Sequence, residues 1–140
     1  MPARDRFHNC VKNALIKSGW TITHDPFPLP WAKRNLSIDL GAERLIIAAE
    51  RQTEKIAVEV KSFLNDSRIA DLEDALGQYV LYEEILKRTH PDRVLYLAIP
   101  QTAYHDLFER DAFAQILLDS QRLKIIVYDH QQEEIKQWLT

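Results

Sequence analysis

Between Ile56 and Phe63 the chain reads Ile-Ala-Val-Glu-Val-Lys-Ser-Phe, an apolar and β-branched stretch interrupted by one acid and one base. Such a run predicts a strand buried within a sheet. Side chains alternate across a strand, so Lys55, Ala57, Glu59 and Lys61 share one face while Ile56, Val58 and Val60 share the other. Charges are not left in such a place without a partner or a purpose. Glu59 can ligate a hard divalent cation through oxygen, and Lys61 can polarise an attacking water or neutralise developing phosphate charge.

The remaining segments predict what surrounds this strand. Phe7, Val11, Ala14 and Leu15 recur at helical spacing, with Asp5 in the first turn, Lys17 in the last and Gly19 as the stop, which predicts a helix over 5–18. Trp20 to Thr23 is a short β-type run. Asp25-Pro26, Pro28 and Pro30 predict a turn-rich loop after it. Leu36 to Ala49 reads as one long strand, joined to the Ile56 strand through a hairpin at Arg51-Gln52-Thr53-Glu54. Asp66-Ser67 opens a helix whose apolar stripe Leu72, Leu76, Tyr79 and Leu86 runs on until Thr89-His90-Pro91. Val94 to Ile99 is a strand closed by Pro100, residues 101–119 form one or two helices, Leu123 to Tyr128 is a strand, and Glu133 to Leu139 a final helical turn or two. The order αβββαβαβα argues for an α/β fold, a mixed sheet covered by helices on both faces, in a single domain spanning 1–140.

Composition narrows the function classes. The 140 residues are 46% hydrophobic, enough for the core of one ordinary domain. Cys10 is the single cysteine, so no intramolecular disulfide and no multi-thiolate zinc site can form, and it reads as a small buried residue on the first helix. Met1 leads straight into a charged segment with no apolar stretch behind it, so a cytoplasmic location is expected, with no membrane association. The net charge of -3 gives no global case for nucleic-acid binding. Its distribution is uneven: residues 1–34 carry six Lys/Arg against two Asp/Glu, roughly +4, and the remainder twelve against nineteen, roughly -7.

A cation held by Glu59 needs a second acid from the neighbouring strand, and Asp39, Glu43 and Glu50 are the candidates. With the hairpin centred near Gln52-Thr53, antiparallel pairing places Glu43 opposite a residue close to Lys61 or Ser62, making it the geometric favourite. Asp39 lies four residues further along, roughly 13 Å at about 3.3 Å per residue, and comes within range only if the strand bends. Gly41 is the kind of residue that marks a bulge or bend, so both acids stay in play. Glu50, beside the turn, reads as solvent-exposed. On the next helix Asp71, Ala75, Gln78 and Tyr82 are spaced to share one face, from which Gln78 and Tyr82 could hold a nucleic-acid backbone. Asp5 and His8, one turn apart, could add a ligand or phosphate contact, although a surface pair is the plainer reading. His24, His90, His105 and His130 show no pairing at ligand spacing, and the three tryptophans read as packing residues.

A carboxylate on one strand, Glu59-Val60-Lys61 on the next, and Gln78 with Tyr82 on the following helix resemble the PD-(D/E)xK nuclease superfamily, including its Q-x-x-x-Y motif. From end to end the chain resembles the XisH family, the fdxN-element excision controlling factors of cyanobacteria. The residues that carry this are Asp5, His8 and Val11-Lys12-Asn13-Ala14-Leu15, then Gly19-Trp20, Asp25-Pro26 and Asp39-Leu40-Gly41-Ala42-Glu43. Ala57 through Phe63, Ala75-Leu76-Gly77-Gln78-Tyr79 and Gln137-Trp138 complete the match.

The resemblance implies a restriction-endonuclease-like core, a role in programmed excision of a DNA element, and a small XisI-like companion protein. It implies a site in which Glu59, one or both of Asp39 and Glu43, and the Val60 carbonyl bind Mg²⁺ or Mn²⁺. Lys61 then helps activate water against a phosphodiester, with Gln78 and Tyr82 positioning the strand. A homodimer is expected where both strands are cut. One departure is that Ile38 and Ala42, not proline, precede the two acids. With the acidic net charge, it motivates the alternative of a non-catalytic DNA-docking or regulatory control factor. A third possibility is one half of a toxin–antitoxin-like or regulatory pair.

Overall fold

The computed structural model describes residues 5–46 and 53–140. Its elements run α1 (His8–Lys17), β1 (Thr21–His24), β2 (Phe27–Trp31), β3 (Arg34–Ile38), β4 (Leu40–Leu45), β5 (Thr53–Val60), α2 (Arg68–Thr89), β6 (Arg93–Pro100) and α3 (Gln101–Tyr104). A π-helical turn (His105–Arg110), α4 (Gln115–Asp119), β7 (Ile125–Asp129) and β8 (Glu134–Leu139) complete the chain.

The main sheet has six strands in the order β1-β4-β5-β6-β7-β8. Its centre is parallel, β5 to β6 to β7, as the helical crossovers between these strands require, and its flanks are antiparallel. The expected mixed sheet with helices on both faces is therefore present. Each face has its own core. Val11 and Leu15 of α1 and Trp20 pack against Ile56, Val58 and Val60, whereas Leu72, Ala75 and Tyr79 of α2 lie in the core that holds Ala57 and Leu97. The alternation expected along β5 is thus realised. Ser67 caps α2, its Oγ accepting the Ala70 amide at 3.1 Å.

Three segments differ from expectation. The proline-rich stretch after Asp25 is not a loop: Phe27 to Trp31 forms β2, pairing with β3 in a separate two-stranded sheet. Phe27 and Leu29 point into the core while Pro28 and Pro30 face out. An antiparallel pair needs inward amides only at alternate residues, and prolines tolerate the others. The Leu36 to Ala49 run is not one strand either, since it breaks at Asp39. Ile38 pairs with Phe27 in the small sheet and Leu40 pairs with Val58 in the large one; positions 47–49 lie outside the described residues. Finally, the C-terminal segment is the edge strand β8, not a helix. Asp129 Oδ1 accepts the amides of Gln131 and Gln132, turning the chain back so that Trp138 pairs with Ile126 and packs on Trp20 and Tyr96. Six residues are too few to hold a helix without such packing. No helix among the described residues is long and apolar enough to cross a membrane.

Candidate metal centre

The break between β3 and β4 places Asp39 at the side of Glu59. Continuing the Leu40–Val58 register sets these two residues opposite each other, and the Asp39 amide donates to Glu59 Oε1 at 3.3 Å. Asp39 Oδ2 in turn accepts the Val60 amide at 2.7 Å, so an acid side chain satisfies a strand amide where the ladder has ended. Gly41 makes the crossing possible. A Cβ there would sit 2.8 Å from Phe27 Cδ2 and 3.0 Å from His24 Nδ1, and it lies opposite the irregular step of β1 between Ile22 and His24.

Glu59 is only 6% exposed. Burial, and then the Asp39 carboxyl that shares its site, push its carboxyl up to about 10, with Lys61 opposing the shift only weakly. At neutral pH Glu59 therefore holds its proton beside the Asp39 side chain. A buried carboxyl kept neutral beside a second acid is a hard oxygen donor from which a divalent cation can displace the proton. Asp39 and Glu59 are thus the residues here that could hold Mg²⁺ or Mn²⁺. Among the described residues no group of three or more His, Cys, Asp or Glu side chains converges in a way that could hold a metal.

The backbone beyond Glu59 is fixed by three different elements in succession. The Val60 amide goes to Asp39, the Lys61 amide to the Ala98 carbonyl at 3.1 Å, and the Ser62 amide to Asp5 Oδ2 at 2.9 Å. The Tyr128 hydroxyl donates to the Lys61 carbonyl at 3.2 Å. Lys61 Nζ lies 3.2 Å from Asp74 Oδ2 on α2, an exposed acid that neutralises it. Tyr82 is half-buried, and its phenol is raised by burial and then by the charges of Glu59 and Asp39, which places its ring within their field. Gln78, one turn earlier, is exposed.

Several expected placements change. Glu43 does not oppose Lys61 or Ser62: it pairs with Lys55, four positions along β5 from Glu59, roughly 13 Å at about 3.3 Å per residue. There its Oε1 lies 3.3 Å from Arg93 Nη2 and 4.0 Å from Lys55 Nζ. The shift arises because β5 begins at Thr53, opposite Leu45, which moves the whole register toward the N-terminus of β5. Glu50 lies outside the described residues. Asp71 is buried and accepts from the amide and side chain of Asn65 at 3.2 and 2.7 Å, so it shapes the approach to α2. Asp5 is the clamp on Ser62. His8 is buried and turns to Asp25 at 2.7 Å, which also receives Lys12 at 2.7 Å. His24 and His90 both meet the Phe27 ring, and His130 stacks on Phe7.

Sequence reasoning passed over Asp74 and Arg93. Asp74, Gln78 and Tyr82 are four residues apart in turn, a helical stripe that could have flagged Asp74. Arg93 carried no such signal. It is buried, donates to the Ile56 carbonyl at 2.7 Å and lies over the Phe27 ring, so it binds β4, β5 and the small sheet together. An open cleft of about 500 Å³ at the start of α2, lined in part by Phe63, Arg68 and Asp106, includes neither Asp39 nor Glu59.

Two crystal structures resemble this architecture closely. An XisH family protein from Nostoc punctiforme is 44% identical over 97% of this chain and 100% of its own, with a TM-score of 0.84. An fdxN element excision controlling factor protein from Anabaena variabilis is 46% identical over 98% of this chain and 100% of its own, with a TM-score of 0.82. No curated protein matches the chain. The family profile described as XisH protein matches residues 1–136, and with these likenesses it shows that the chain belongs to the XisH family.

Proposed function

We propose that this chain takes part in controlled excision of a DNA element as a divalent-metal-dependent phosphodiester hydrolase of the PD-(D/E)xK type, with a restriction-endonuclease-like core. The placement of Asp39 opposite Glu59, with its amide on Glu59 Oε1 and Lys61 two residues on, carries the reading. The Anabaena variabilis relative, named as an excision controlling factor, supplies the DNA context.

Mg²⁺ or Mn²⁺, when bound, supplies Lewis acidity and an activated water. The chain's own residues do the rest. Glu59, on losing its proton to solvent, and Asp39 would offer the ion two carboxylate oxygens, with the Val60 carbonyl as a third donor. The Lys61 ammonium, released from Asp74, faces the phosphate and offsets its growing charge. Tyr82 and Gln78 hold the strand, and the clamped amides of Val60, Lys61 and Ser62 keep these groups in register. An XisI-like companion and a homodimer, which would present one centre to each DNA strand, belong to the same proposal.

The test is cleavage of duplex, branched and single-stranded DNA with Mg²⁺ or Mn²⁺, with and without the companion. Cutting that disappears in Lys61→Ala supports the proposal, and no cutting on any substrate overturns it. A second reading, a non-catalytic docking or control factor acting with that companion, is favoured by Asp74 already neutralising Lys61. On that reading Glu59→Ala still binds DNA and still supports excision.

A further inference from the structure

The β2–β3 hairpin extends past the core that anchors it. Phe27, Leu29 and Ile38 are buried, yet Trp31 is 42% exposed and Ala32, Lys33, Arg34 and Asn35 are all exposed. Trp31 and Arg34 face each other in register, closed by a two-residue turn in which Ala32 and Lys33 have φ of 49° and 65°. Two successive left-handed residues are what a tight hairpin of this length needs, and glycine or asparagine is the usual choice. Here one of the two positions is a lysine.

Charge sets this tip apart. Lys33 and Arg34 are adjacent cations that make no ion pair with any described residue, a state shared by the scattered Arg6, Lys17 and Lys124, whereas Lys12, Arg44, Arg93 and Arg122 are each held by a carboxylate. The segment from Phe27 to Ile38 contains no acid at all, in a chain of net charge -3. A cationic, aromatic two-stranded ribbon thus projects from an acidic body. A ribbon of this kind fits the major groove of a DNA duplex, where cations meet phosphates and a ring can pack on base edges. The position is also right. Arg34 lies five residues from Asp39 on the strand that leads into it, roughly 17 Å at about 3.3 Å per residue, or about five base-pair steps at 3.4 Å.

We infer that the tip of the β2–β3 hairpin, Trp31, Lys33 and Arg34, is a docking arm for duplex DNA, set about five base pairs from the Asp39–Glu59 centre. This rests on the reading of that centre as a site acting on DNA. The arm grips by charge and by one aromatic ring, independently of metal.

Its test is binding of a labelled duplex by the full chain, followed by fluorescence anisotropy in EDTA so that no hydrolysis intervenes. The doubly substituted Lys33→Ala, Arg34→Ala chain should bind at least tenfold more weakly at about 0.1 M salt, and its slope of log affinity against log salt should shrink by about 1.8, since each phosphate contact contributes about 0.9. Replacing both by the other cation, Lys33→Arg with Arg34→Lys, should restore the slope. Trp31→Ala should weaken binding without changing it. Unaltered affinity and slope in the double variant overturn the inference and assign the tip to a different partner. Tighter binding of single-stranded DNA through Trp31 overturns the duplex assignment. Absence of any duplex binding by the unaltered chain overturns the arm alone, while a reduced slope in the double variant with no cutting of any substrate under Mg²⁺ keeps the arm and overturns the hydrolytic reading.

Discussion

Asp39 and Glu59 are locked side by side, the Asp39 amide donating to Glu59 Oε1 at 3.3 Å while Asp39 Oδ2 accepts the amide of Val60, the next residue, at 2.7 Å. An ordinary glutamate would be ionised far below neutrality. This one is buried against a second acid, in a sheet whose ladder has just ended.

The proton that Glu59 keeps makes stability depend on pH. The unfolded chain releases it near the ordinary value of 4.5, whereas the folded chain keeps it up to about 10. The folded state binds more protons throughout this window, so stability falls as pH rises across it. Glu59→Gln, which stays neutral, should flatten the dependence and melt higher than the unaltered chain at pH 8. Tm measured from pH 5 to pH 9 checks this, and parallel curves for the two chains would refute it.

The same proton competes with metal. Affinity for Mn²⁺ should climb with pH over this range, by up to about tenfold per unit, with about one proton released for each ion bound. Calorimetry in two buffers of different ionisation enthalpy reads the proton count directly, and pH-independent affinity would show that the ion binds elsewhere.

Register separates the two candidate acids of β4 and its approach. Asp39→Asn should lower Mn²⁺ affinity by about 100-fold or more, the upper end of what altering even an indirect partner of a metal costs. Glu43→Gln, about 13 Å along the strand from Glu59, should leave it within about twofold. Equal losses in the two variants would place the ion between them.

Arg93 should matter more to stability than any surface cation. Arg93→Met removes the buried donor to the Ile56 carbonyl and one of the two cations beside the partly exposed Glu43 carboxylate, at a cost of about 1–3 kcal/mol. By contrast, the Asp74→Asn change at an exposed ion pair should cost under about 1 kcal/mol. Urea denaturation distinguishes the two.

Gly41→Ala tests the crossing between sheets. The new methyl would stand 2.8 Å from Phe27 Cδ2, and Phe27 is fully packed, so a loss of about 1–3 kcal/mol is expected. Cutting should fall further than stability alone predicts, because the displaced ring sits on the strand pair that orients Asp39.

Much of the architecture was legible in the chain. The buried strand around Glu59, the long helix from Ser67 to Thr89 and the strand closed by Pro100 all follow from period and capping, which are local signals. The misread segments depend on pairing at a distance. Nothing within Phe27 to Trp31 announces a strand, because its alternation is written in prolines and needs β3 to become a sheet. Likewise Glu134 to Leu139 becomes a strand only because β7 offers an edge. At the centre, the face shared by Glu59 and Lys61 was readable from alternation alone. The choice of Asp39 over Glu43 as its neighbour was not, since it turns on where β4 stops and how β5 starts.

The junction at residue 39 has a mechanical consequence. Ile38 is bolted to one sheet and Leu40 to the other, so the backbone that carries the carboxyl between them is set by the angle between two slabs, and the Val60 amide then holds its oxygen. A substitution at Phe27, Leu29 or Ile38 that tilts the smaller slab by a few degrees will therefore be felt first as a misaimed oxygen, well before the protein loses its shape.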